Sequence, residues 1–384
     1  MNVRERFRTV LDRGVPDRLP VTTHHVMPSF LDLALGGIDN DAFFQRFDLD
    51  PIVWVSAHAA DAARGTRFDP SHTPGYLEAR RVISDEWWFS AEPIVDPQYT
   101  TVRHTIHTPR KNLTTVLQSN EHTTWVTERL IKDPGDIDLI AAYAPLPVCD
   151  TAAVNAVSAA RGESALIRGT VTCFDLYGQP GCWQDASVLF GIEDLIMATY
   201  DDPDWVHAFL KILQARKMSF VESLRGAAFD VLELGGGDAS STVISPKVFD
   251  AFVAPYDAPL IERAHAAGQR IVYHTCGGMM PFLERIADMG PDAMETFTPV
   301  GMGGDTRIGE AKKRIGDRVC MIGGFDQFHF FTRCTPAETR AEVRRCFAEA
   351  GQGGAYILCP SDHFFEAEIP LLEAFASEAH ACLY

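Results

Sequence analysis

An imidazole and a thiol one residue apart, His274 and Cys276, close the run Arg270-Ile-Val-Tyr-His-Thr-Cys-Gly-Gly278. The apolar part of that run reads as a buried strand, and a strand sends alternate residues to one face. His274 and Cys276 can therefore converge on a single ion. Gly277 and Gly278 permit a tight exit and a close backbone approach. The pair cannot complete a site alone, because catalytic zinc takes three protein ligands and keeps one position open. A further ligand must come from elsewhere, and Ile357-Leu-Cys-Pro-Ser-Asp-His363 offers Cys359, Asp362 and His363. The competing reading is a small buried thiol beside a core histidine whose hydrogen bonds are satisfied within the protein.

The elements that must position these groups are legible as an alternation. Arg4 to Arg13 is amphipathic and Pro16-Asp17-Arg18 ends it; strand-like runs follow at Leu19–His25 and Pro51–Ser56. From about 80 to 126 the chain is rich in Thr, Val and Trp and broken by Pro93, Pro97 and Pro109. That composition predicts an inserted antiparallel meander after the second strand. Further strand-length runs lie at Ala165–Val171, Phe229–Leu234, Arg270–His274, Ala293–Phe297, Val319–Gly323 and Ala355–Cys359. Helical spacing fills the intervals at Ala186–Ala198, Pro203–Leu224, Pro246–Ala267, Met279–Met289, Thr306–Ile315 and Thr335–Ala350. Near-continuous apolar strands separated by crossover helices mean a parallel sheet covered on both faces. The reading is α/β, a (β/α)8 TIM-type barrel spanning 1–384 as one domain. A doubly wound open sheet is the alternative, but no Gly-x-Gly-x-x-Gly follows the first strand.

In a barrel the active site sits at the C-terminal ends of the strands. The polar residues expected there are His24, His25, Asp175, Tyr177, Glu233, Asp238, His274, Cys276, Glu295, Asp326, Cys359, Asp362 and His363. So many ionisable groups at one rim predict an enzyme. Gly235-Gly-Gly-Asp238 could cradle a phosphate in its N–H groups or simply carry Asp238 to the rim. Cys149, Cys173, Cys182, Cys320, Cys334, Cys346 and Cys382 show no ligand spacing.

A formal charge of −18 argues against nucleic acid as a partner. The charged opening, Met-Asn-Val-Arg-Glu-Arg, carries no secretory signal, and no apolar run approaches the roughly 18 residues of a membrane helix. The expectation is a cytoplasmic protein with reduced thiols and no membrane partner.

Taken together, Pro16-Asp-Arg-Leu-Pro20, Lys132-Asp-Pro134, Ser245-Pro246 with Phe252, Pro255 and Tyr256, His274-Thr-Cys-Gly277 and Gly323-Gly-Phe-Asp326 resemble the uroporphyrinogen decarboxylase superfamily. Within it, the chain is most similar to the cobamide-dependent methyltransferase-like branch, over most of its length. The resemblance implies a TIM-type barrel with zinc on the His-x-Cys pair and a cysteine after strand 8. It also implies a methyl group moving to or from a corrinoid (cobalamin) on a separate protein, since no Asp-x-His-x-x-Gly signature of a corrinoid domain is present here. The family's Leu-Ser-Pro-Gly-Cys is replaced by Leu358-Cys-Pro-Ser-Asp362, so the ligand position falls on Asp362. Cys359 is the favoured third ligand, keeping a His-Cys-Cys set, with Asp362 or His363 as alternatives that would make a harder site.

The expected function is a zinc-dependent methyltransferase acting between a small molecule, thiol or folate-type partner and a corrinoid protein. Glu233, Asp238 and Asp326 are candidate catalytic carboxylates; His24, His25, Tyr177 and Glu295 are candidate substrate contacts. A homodimer is admissible. Two alternatives stand: a decarboxylase or lyase of the uroporphyrinogen decarboxylase type, and a non-catalytic binding barrel. Decarboxylation of the porphyrinogen itself is disfavoured, because Thr22 to Phe30 holds no arginine where that enzyme has an arginine-rich segment.

Overall fold

Among the described residues, seven short strands hydrogen-bond in parallel, in the order in which the chain visits them. The computed structural model describes residues 1–75, 77–174 and 176–384, so Asp175, expected at the rim, lies outside the described residues. The first ladder strand is β1 (Ile52–Trp54); a two-stranded ribbon, β2 (Arg67–Phe68) with β3 (Val82–Ile83), follows it. Then comes the antiparallel meander β4 (Trp88–Ile94), β5 (Thr100–His107), β6 (Leu113–Ser119) and β7 (Thr124–Glu128). The remaining barrel strands are β8 (Leu166–Thr170), β9 (Val231–Gly235), β10 (Ile271–His274), β11 (Ala293–Thr296), β12 (Cys320–Gly323) and β13 (Tyr356–Ile357).

The eighth stave is the segment Leu19–His25, and here the structure differs from the expected regular strand. It meets β13 only through a parallel bridge between Val21 and Leu358. On its other side the Asp50 N–H donates to the Val21 carbonyl at 2.8 Å, and the Asp50 carboxylate accepts from the Val21 N–H at 3.0 Å. Arg6 and Arg18 neutralise that buried carboxylate. A side chain thus closes what a ladder closes elsewhere. Opposite the rim, Asp230 accepts from Arg4, Arg8 and the Ile167 N–H, fixing the N-terminal ends of the strands.

Strands β9 to β13 are buried at every residue, as expected where helices cover a parallel sheet from outside and side chains fill it from inside. The covering helices start where their sequences say they should. Asp202 caps the helix Pro203–Ser223 by accepting from the Trp205 N–H, and Thr335 with Glu338 forms a capping box before Pro336–Cys346. The helix expected over Pro246–Ala267 is interrupted: a π-turn at Phe249–Val253 separates Pro246–Val248 from Ala254–Ala266. Pro255 supplies the reason, since it cannot donate the N–H an unbroken helix needs at that turn, whereas Pro259 lies inside the helix that follows. Among the described residues, no helix is long and apolar enough to cross a membrane.

Candidate metal centre and adjoining cavity

At the end of β10 the alternation of the strand sends Tyr273 outward, where its hydroxyl donates to Asp257 at 2.9 Å, and His274 inward. The parallel register places Glu295 of β11 opposite His274, Glu233 of β9 opposite Val272, and Arg168 of β8 opposite Trp54 of β1. Five ionisable side chains therefore meet inside the barrel. The Arg168 guanidinium donates to Glu233 at 2.7 Å and to Glu295 at 2.5 Å, and lies 4.3 Å from the Trp54 ring. His274 Nδ1 is 2.9 Å from Glu295; His24 Nε2 is 3.2 Å from Glu295 and 3.4 Å from Glu233.

Burial alone would neutralise all of these groups; their partners override it. Burial pushes the Glu295 carboxyl up, but Arg168 and His24 hold it well below the usual carboxylate range. Glu233 is lowered against burial by His274 and His24. Burial would lower His274, yet Glu233, Cys276 and Glu295 raise it well above the ordinary imidazole value, and Glu295 and Glu233 raise His24 above that value against its burial. His25 behaves oppositely. Burial, with His24 and His363 nearby, pushes it well below that value. Its Nδ1 is 2.8 Å from His24 Nδ1, and its ring stacks on His363 with centroids 5.0 Å apart.

Two overlapping groups bring metal-type donors within 4.8 Å of one another: His24, Glu233, His274 and Glu295; and His274, Cys276 and Asp362. Both contain donor types that divalent metals use. Cys359 is in neither group. Its buried thiol feels Glu295 and Asp362 and is pushed well above the usual range, chiefly by burial. Asp362 reaches the rim because Pro360 bridges Phe325 beyond β12, and Ser361 is tied to the Phe325 carbonyl and the Gln327 side chain. His363 Nδ1 is 2.9 Å from the Asp362 carboxylate, which stays well below its ordinary value against burial, held there first by that contact. Gly237 packs over Cys276 so closely that a Cβ there would lie 2.6 Å from Sγ. Just past Glu295 the chain turns through two left-handed residues, Thr296 (φ 82) and Phe297 (φ 46). Such conformations cost about 1–3 kcal/mol each and cluster at functional sites.

The other rim candidates are placed differently. The Asp238 carboxylate is tied to Gln184 and Ser187 of the helix Cys182–Phe190. Asp326 caps Gln327–Phe330, accepting from the His329 N–H at 3.0 Å. Tyr177 donates to the Thr124 carbonyl at the start of β7. It stands in the wall of a cavity of about 650 Å³ that adjoins the ionisable cluster through His25 and His363. His58, Thr170 and Thr172 also face this cavity, and the turn between β6 and β7 roofs it. Sequence reasoning passed over Arg168 and Trp54. The one available signal was a lone charge in the otherwise apolar run Leu166-Ile-Arg-Gly-Thr170.

A uroporphyrinogen decarboxylase (URO-D) family model matches residues 122–375, which include Arg168, Glu233, His274, Cys276, Glu295 and Asp362. The chain belongs to the uroporphyrinogen decarboxylase family. Uroporphyrinogen decarboxylase from Neisseria meningitidis serogroup C (strain 053442) is 28% identical over 163 residues, covering 41% of this chain and 43% of the relative. The Pseudomonas putida (strain GB-1) enzyme of that name is 28% identical over 238 residues, covering 60% of this chain and 63% of the relative. The chain thus spans less than two thirds of the length of the curated relatives it matches. A solved methyltransferase from Methanosarcina mazei shares the fold from end to end, with a TM-score of 0.62, 14% identity and coverage of 99% and 98% of the two chains.

Proposed function

We propose that this member of the URO-D family is a metal-dependent methyltransferase that takes a methyl group from a methoxylated small molecule and passes it to a corrinoid on a separate protein. The observation that carries this reading is the convergence of His274, Cys276 and Asp362 beside a buried carboxylate that orients the histidine. Glu295 accepts at His274 Nδ1, which leaves Nε2 as the ligating nitrogen, the arrangement that fixes ring orientation at metal sites. Glycine at 237 keeps a side chain from crowding the Cys276 sulfur. The neighbouring group fits a cation less well, because Arg168 already occupies the Glu233 and Glu295 oxygens and would repel a divalent ion placed among them. When bound to one imidazole, one thiolate and one carboxylate, zinc supplies Lewis acidity of a harder kind than a two-thiolate site, suited to polarising an ether oxygen.

The protein's own groups supply the proton that a departing oxygen needs. His24, set between two carboxylates, holds hydrogens on both ring nitrogens and donates from Nδ1 to His25 Nδ1. His25 then carries its hydrogen at Nε2 on a ring that lines the cavity. The cavity suits an uncharged, hydrogen-bonding substrate. Of its two arginines, Arg81 is paired with Asp69 at 3.2 Å and Arg80 lies over the Phe68 ring at 3.7 Å with its charge retained, too little positive charge for a polycarboxylate. Decarboxylation of a small carboxylated substrate is the second reading, favoured by the names of the curated relatives.

Zinc content of the purified protein and of three variants tests the assignment. Wild type and Cys359→Ser should hold one zinc per chain, while Cys276→Ser and Asp362→Asn should lose it. Zinc lost from Cys359→Ser but kept by Asp362→Asn would move the third ligand to the strand. A wild type that binds no zinc would remove the metal reading and leave the decarboxylase.

A further inference from the structure

Of the seven ladder strands, β1 is covered least evenly: Ile52 is buried, but Val53 and Trp54 are only half-buried, as is Val55 after them. The cause is the missing ladder on its free side. Beyond the Asp50–Val21 contacts, the connection across the gap that reaches the rim is the Trp54 indole, whose N–H donates to the His24 carbonyl at 3.0 Å. A second cavity of about 490 Å³ opens in that gap. Its walls are mainly apolar, from Val26, Phe44, Val53, Val55 and Val157. It shares His25, Val55, Ser56, Leu77 and Glu78 with the larger cavity, so the two adjoin along these residues. Its outer mouth is polar. Arg161 and Asp41 pair across it at 2.6 Å.

We propose that this lateral cavity is a second subsite, taking the apolar arm of an elongated substrate whose reacting end lies in the larger cavity. The inference rests on reading the larger cavity as the substrate site. Trp54 forms the partition: one face lies against Arg168 of the buried charge cluster, and its indole N–H braces the first stave. An arm passing His25 therefore stays on the apolar side of the wall and exchanges water for Phe44, Val53 and Val157. The substrate class is a hydroxylated or methoxylated head carrying an apolar chain or ring.

Isothermal titration calorimetry with straight-chain 1-alkanols from butanol to decanol tests the arm without needing the head. In wild type, affinity should climb about fourfold for each methylene buried. Val157→Trp, which fills the cavity from the helix Thr151–Arg161, should flatten the series, and Val157→Glu should do so by making the wall charged. Far-UV circular dichroism identifies any variant that fails to fold, and the other variant then decides. A flat series in wild type, or an unchanged slope in the folded variants, overturns the proposal. Zinc content of the same samples reports separately on the metal reading, so failure of one is distinguishable from failure of the other.

Discussion

Arg168→Met should be among the most destabilising single substitutions in this protein, and its cost should depend on pH in a defined direction. Arg168 is 2% exposed and is the permanently charged partner of both Glu233 and Glu295. Methionine keeps the apolar bulk against Trp54 but removes the permanent cation from two buried carboxylates, which then depend on the His24 and His274 imidazoles. Breaking a buried ion pair from one side costs about 3–5 kcal/mol. In wild type both carboxyls are held below their ordinary value, so their contribution is present above the unfolded carboxylate range and lost as pH falls through the lowered folded values. Without Arg168 the folded carboxyls rise, Glu295 most because Arg168 is its leading partner, and the imidazoles that remain lose their charge as pH rises, so the variant is penalised progressively toward alkaline pH. The gap should be widest near pH 8 at about 3–5 kcal/mol, and should narrow toward pH 5 as one carboxyl takes up a proton. Urea unfolding followed by circular dichroism, with a chelator present to exclude metal binding, measures both ends. A gap below about 1 kcal/mol at the higher pH, or one equal at both, would refute the account of the cluster as an Arg168-held charge network.

Three further outcomes are expected. His58 is pushed down to about 4, first by burial and then by Arg216, so its contribution is present above the ordinary imidazole value and lost as pH falls through about 4. Discounting for the part of the ring open to the cavity, the stability advantage of wild type over His58→Gln should shrink by about 2 kcal/mol across that window in acid denaturation; a constant difference would contradict it. Cys276 and Cys334 are the two half-buried thiols among nine, and burial pushes Cys149 and Cys320 up to about 12. Ellman's reagent should label two thiols quickly in metal-free protein and one after zinc loading, whereas two fast thiols with zinc bound would argue against Cys276 as a ligand. Gly237→Ala places a methyl against the Cys276 sulfur, and competition with a chelator should show zinc affinity reduced by tenfold or more in a protein that melts normally.

The barrel was legible in the sequence because parallel strands covered on both faces read as continuous apolar runs, whatever their neighbours do. The first stave was legible as a run but not as an unpaired one. Its partners are Leu358 and Asp50, and a contact between residues 21 and 358 leaves no local trace. Pro255 carried the signal for the π-turn that replaces an unbroken helix. At the site, the His274 and Cys276 pair was readable from spacing, whereas the position of Asp362 depends on the Pro360–Phe325 bridge, which only the fold supplies. Asp238 and Asp326 were correctly expected after their strands, but Gln184, Ser187 and a helix cap decide where their carboxylates point. Arg168 escaped notice because a cation inside a barrel strand makes sense only once Glu233 and Glu295 are seen beside it.

The seam of this barrel is stitched from residues far apart in synthesis. Leu19 donates to the Cys382 carbonyl at 2.9 Å, and Leu358 donates to the Pro20 carbonyl at 2.9 Å. A nascent chain emerging from the ribosome must therefore keep an unsealed cylinder, with its acidic and basic interior exposed to water, until the helix Ile369–Ala381 is free. Circular permutation that joins these two regions in sequence should turn the slowest closure into an early one, so the order of assembly could be rewritten without touching a single catalytic atom.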